Sequence, residues 1–143
     1  VLRTEPRLKS EFVSSGQVRL GFHHVLDHGR ASELASMAVE CAGDQAPAQY
    51  WHMHDLLFGS QGKLFRADVS VYDDFADQIG LDGAAFGACM ADDTHLAKVR
   101  VMNDERVTTW SIRRRPSFVV NGKVYAGGIP FDAFAVAIQE ALG

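Results

Sequence analysis

Arg115–Gly128 reads RPSFVVNGKVYAGG, and this stretch decides the fold. Ser117–Val120 (SFVV) and Lys123–Ala126 (KVYA) are short strands on either side of Asn121-Gly122. Asn-Gly is the strongest short-range hairpin signal, because a type I′ turn needs positive φ at both central positions. Gly127-Gly128 ends the hairpin. Pro130 then opens an amphipathic helix, Phe131–Leu142, with Phe131, Phe134, Ala135, Ile138 and Leu142 on one face.

Working outward, the chain before the hairpin is helical for a long way. Ala31–Ala42 is Ala-rich, with Leu34, Ala35, Ala38 and Cys41 on one side, and Gly43 is placed for a C-cap. Ala48–Phe58 follows, with an apolar face of Trp51, Leu56, Leu57 and Phe58. Ser70–Ile79 is a third helix, stopped by Gly80, and Gly83–Met90 a fourth, capped by Leu81-Asp82. Thr94 to about Thr109 is a fifth, capped by Asp92 or Asp93. Farther back, Val18–Val25 (VRLGFHHV) alternates Val18, Leu20 and Phe22 with Arg19, Gly21 and His23, which predicts a strand. Pro6–Val13 has helical spacing at Leu8, Phe12 and Val13, with Gly16 as its stop. Val1–Ser14 thus reads as the back part of a helix, with Pro6 as a kink or a first turn. A lone strand beside a hairpin makes a poor sheet, so a further strand is expected between them.

The 143 residues are enough for one domain and for a core without metal staples. Hydrophobic residues are 47% and charged residues 22%, which excludes a disordered tail. A net charge of -4 argues against nucleic acid as a partner. No apolar run approaches the ~18 residues of a membrane span. There is no nucleophile-elbow motif and no phosphate-cradling Gly loop.

The histidines do not make a metal site by spacing. His23 and His24 point to opposite faces of a strand, and His52 and His54 are two apart on a helix. His54-Asp55 reads as a surface pair, and Trp51 and Phe58 as core. Metal and cofactor are both expected to be none. Cys41 and Cys89 are the only cysteines, and neither stands in a Cys-x-x-Cys.

Taken in order, several stretches resemble the DsbA-like family of thiol–disulfide oxidoreductases: Phe12–Val25 (FVSSGQVRLGFHHV), Val39–Phe58 (VECAGDQAPAQYWHMHDLLF), Leu81–Met90 (LDGAAFGACM), Arg115–Gly128 and Pro130–Leu142. The resemblance covers nearly the whole chain. It implies an α/β, thioredoxin-like fold of DsbA type with an inserted α-helical domain. On that reading 1–28 and 108–143 form the thioredoxin-like domain and 29–107 the insertion. The family's central strand and the Cys-x-x-Cys that opens the following helix would lie before Val1, so the N-terminal central strand is missing from the sequence. The N-terminus is then processed, truncated or left out. Cys41 and Cys89 would be a structural disulfide between insertion helices, against two separate buried thiols. Pro116 would be the family's cis-proline, with Arg115 before it offering backbone to a bound peptide, against an ordinary trans Pro at an edge strand. Arg113-Arg114-Arg115 departs from the family, whose residue here is small or β-branched. It would favour acidic or phosphorylated partners, or is a solvated basic loop.

Two functions follow. The first is thiol–disulfide exchange on protein thiols and disulfides in the periplasm or another extracytoplasmic space, with no catalytic pair in this chain and therefore no redox activity of the chain as it stands. The second is a non-catalytic peptide- or partner-binding protein, or a homodimer that completes its sheet. A small-molecule role, as in glutathione-transferase relatives of the fold, rests on fold analogy alone.

Overall fold

The computed structural model describes residues 4–64 and 68–143. They form two compact units, one of residues 1–23 with 105–143 and one of residues 24–104.

The first unit is built around the hairpin. β1 (Ser117–Val120) and β2 (Lys123–Ala126) pair antiparallel with Val120 opposite Lys123. Asn121 and Gly122 take φ of +43° and +85°, the I′ geometry the dipeptide predicts. α8 (Phe131–Leu142) starts with Pro130 at its N-cap. Its inward face, Phe134 and Ile138, packs with Leu8 and Phe12 to make the core of this unit. Phe118 from β1 stands edge-on to Phe134 with centroids 4.3 Å apart, a favourable geometry for two ring quadrupoles. Leu8 ends α1 (Thr4–Leu8), and Phe12 lies on the π-helical turn that continues it, Lys9–Val13. Gly16 stops this helix with φ +78°; Val1–Arg3 of the expected helix lie outside the described residues.

Val18–Val25 is not a strand. Residues 17–26 carry no regular secondary structure, and β1 and β2 bond only to each other. A strand exists only where a neighbour takes its N–H and C=O groups, and no described strand lies beside this segment. The alternation persists only as far as Phe22: Val18, Leu20 and Phe22 are half-buried while Arg19 and Gly21 are exposed, but His23 is half-buried as well.

The second unit is all helix. α2 (Arg30–Gln45) runs through its middle, buried on almost every side from Ser36 to Ala42. α3 (Pro47–Gly59), α5 (Val69–Gln78) and α6 (Gly83–Ala91) pack against it. α4 (Gln61–Leu64) is one short turn, and α7 (Leu96–Thr108) supplies Val99 to the core. Gly43 is not a C-cap; α2 continues past it to Gln45. Its purpose is clearance, because a Cβ there would meet the Tyr50 ring at 3.1 Å. Asp82 caps α6 by accepting from the Ala85 N–H at 3.0 Å, and Gln45 binds the Asp82 N–H and carbonyl at 2.8 and 3.1 Å. Where the chain enters and leaves this unit, the Leu26 N–H donates to Asn103 Oδ1 at 3.0 Å.

Candidate functional site

Pro116 stands immediately before β1, and the Arg115–Pro116 peptide bond is cis. The loop is tied down at both ends. The Gly127 N–H donates to the Pro116 carbonyl at 2.8 Å, and the Ser117 hydroxyl to the Arg114 carbonyl at 2.6 Å. Upstream, the Ile112 N–H donates to the Arg106 carbonyl at 2.7 Å, and the Arg106 guanidinium returns a bond to the Ile112 carbonyl at 3.4 Å. Between these anchors Arg113, Arg114, Arg115 and Pro116 are all exposed. Three consecutive guanidiniums on an anchored loop can grip carboxylate or phosphate, and extended backbone at the mouth of a strand can pair with a peptide.

Cys41 and Cys89 are joined as a disulfide between α2 and α6, with Cα atoms 5.9 Å apart. Cys41 is buried; Cys89 is half-buried. His95 and Asp44 stand beside the bond. His95 Nε2 is 2.6 Å from Asp44 Oδ2, and Cys89 Sγ is 3.8 Å from the same oxygen. Cys41 and Asp44 share a face of α2 at i, i+3. His95 is held by the turn after α6, where the Thr94 N–H reaches the Cys89 carbonyl at 3.3 Å and Leu96 closes onto Asp93 at 2.9 Å.

A buried charged centre that the sequence did not announce lies beside the disulfide's helix. Glu40, on the same helix, takes His24 Nε2 at 2.9 Å and the Lys98 ammonium on its other oxygen. Burial raises the Glu40 carboxyl, but the bonds from His24 and Lys98 outweigh it and hold it at about 2. The signal was a lone carboxylate inside an apolar run, MAVECA. His54 is not the surface residue its pairing with Asp55 suggests. It is 1% exposed, between Trp51 and Phe58, with ring centroids at 5.3 and 4.6 Å, and its Nδ1 is 2.9 Å from the exposed Asp55. Trp51 and Phe58 are themselves only half-buried; Met53 and Leu57 carry the α3 core face.

A family model described as thioredoxin matches residues 2–140, and the chain belongs to that family. Within it the chain is DsbA-like: it is 23% identical over 150 residues to disulfide bond formation protein D of Bacillus subtilis, covering 96% of this chain and 63% of that protein. It is also 30% identical over 142 residues to Na(+)/H(+) antiporter NhaA 1 of Salinispora arenicola and 28% identical over 141 residues to Na(+)/H(+) antiporter NhaA 3 of Salinispora tropica. Each match covers 97% of this chain but 21% of the antiporter, so the chain spans about a fifth of the length of these relatives. No solved structure matches. No described helix is long and apolar enough to cross a membrane.

Proposed function

We propose that this chain is the peptide-recognising body of a thiol–disulfide exchange protein that works outside the cytoplasm. The observation that carries the proposal is the thioredoxin family match over residues 2–140, joined to the likeness to disulfide bond formation protein D. In this reading the helical unit is an insertion into the thioredoxin domain. Arg115 and Pro116 hold an extended protein substrate. Cys41 and Cys89 serve the structure, and a thiolate at a helix N-terminus, which the chemistry requires, is absent from these 143 residues. The sodium–proton exchange named in two relatives is left with those proteins.

The test is dithiol-dependent insulin reduction by the purified chain, with intact mass measured before and after reduction and alkylation. The expected outcome is a mass of 15.7 kDa, two alkylatable thiols only after reduction, and no rate above the dithiol background. Turnover at that mass would sink the claim that the chain alone is inactive.

One observation favours a second reading, a partner-binding or self-associating protein. Val18 and Leu20 keep a strand's alternation with the exposed Arg19 and Gly21, the pattern of a segment that can add to another sheet. A concentration-dependent dimer by sedimentation, lost in Leu20→Asp, is the expected outcome of that reading; a monomer at all concentrations refutes it.

A further inference from the structure

We propose that, once its disulfide is reduced, Cys41, Cys89, His95 and Asp44 form a zinc-binding site on the helical unit. The inference is independent of the function proposed above. The sulfurs of Cys41 and Cys89 and a ring nitrogen of His95 all lie within 4.8 Å of one another. Asp44 Oδ2 reaches both His95 Nε2 and Cys89 Sγ. Two thiolates, one imidazole and one carboxylate are a four-donor set of the kind zinc takes in tetrahedral sites. Such a site has donor–donor edges of roughly 3.3–3.8 Å, given Zn–S of about 2.3 Å and Zn–N or Zn–O of about 2.0 Å. Cys41, Cys89 and His95 thus already stand as a three-donor group, and Asp44 reaches two of its members.

In the oxidised chain the sulfurs are bonded to each other and have no thiolate charge to offer. Reduction by a dithiol breaks the Sγ–Sγ bond. Two electrons and two protons pass to Cys41 and Cys89, and the dithiol leaves as its own disulfide. Zinc then displaces the two thiol protons, which go to solvent, while neutral His95 gives a lone pair and Asp44 a carboxylate oxygen. The surroundings favour a cation. Asp44 lies in the last turn of α2, where the helix presents its negative end. There is also a way in: the Asp44 side chain is 54% exposed and that of His95 15%.

The experiment uses the full chain, reduced with dithiothreitol, freed of it anaerobically by gel filtration, and titrated with cobalt(II) and then zinc(II). Helix content is followed in parallel by circular dichroism. The expected result is one equivalent of cobalt with tetrahedral d–d bands and a thiolate-to-cobalt charge-transfer band, displaced by zinc. The oxidised chain binds neither. His95→Ala weakens zinc by more than the roughly 10–100-fold that losing an outer-shell partner costs, and Asp44→Asn weakens it less, with helix content unchanged. Cys89→Ser removes the charge-transfer contribution of one thiolate. No stoichiometric uptake by the reduced chain overturns the proposal, as do equal affinities for His95→Ala and the parent. A reduced chain that loses its helices and does not regain them with zinc overturns it as well.

Discussion

The Glu40 side chain is 8% exposed and faces the wholly buried His24 on one side and Lys98 on the other. A carboxylate removed from water this far persists only because both oxygens are taken. Glu40→Gln keeps the shape and removes the charge, so it is expected to cost about 3 kcal/mol in urea unfolding at neutral pH. The pH dependence has a definite sign. The folded carboxyl is held at about 2, below its usual 4.5, so its contribution is full above 4.5 and drains away as pH falls toward 2. Across that window the unfolding midpoint should fall more steeply in the parent than in Glu40→Gln; parallel curves would disprove the assignment. Tyr72 presents the opposite case. Its ring is fully buried, its hydroxyl has no hydrogen-bond partner among the described residues, and burial pushes its pKa up. Tyr72→Phe removes a stranded polar group and should raise stability by about 1 kcal/mol; a loss of that size would show that the hydroxyl has a bond in solution.

At the scale of elements, the hairpin is where local chemistry and structure agree most closely. Gly122 sits at φ +85° with open space around its α-carbon, so Gly122→Ala meets no clash and isolates the backbone cost. That cost should be about 1 kcal/mol in thermal or urea unfolding. An unchanged midpoint would mean the turn is free to leave the I′ form. The hairpin, α8 and the helices of the second unit other than α4 were legible in the sequence because each is decided within a few residues: Asn121-Gly122, Pro130, Gly80 and the Asp82 cap; the expected Asp92 or Asp93 cap was not, since Asp92 closes α6 and α7 starts only at Leu96. What was not legible depended on distant partners. Gly43 looked like a C-cap because the closeness of Tyr50 is a packing fact. Val18–Val25 looked like a strand because alternation reports which side chains face inward, whereas the ladder depends on a neighbour. His54 looked exposed because the sequence shows Asp55 beside it but not the Trp51 and Phe58 rings around it. The Arg115–Pro116 loop could be singled out by resemblance. The Glu40 centre and the His95–Asp44 pair could not, since their members are brought together across 16 to 58 residues.

For the molecule as a whole, the Cys41–Cys89 link closes a loop with a sequence separation of 48 inside the helical unit. Loop closure of that size restrains the unfolded chain by about 4 kcal/mol. Reduction is therefore expected to lower amide exchange protection in residues 24–104 while residues 105–143 keep theirs. Equal losses in both segments would show that the chain unfolds as one cooperative body. The Leu26–Asn103 bond carries a mechanical consequence. Because the chain enters and leaves the helical unit at one neck, residues 24–104 are stored length: opening them under tension would release on the order of 280 Å of extended chain. With the disulfide intact, the loop it closes stays locked, and the release is limited to roughly 115 Å. The sulfur–sulfur bond thus works as a stop on an extensible tether, and its redox state decides how far residues 24 and 104 can be drawn apart.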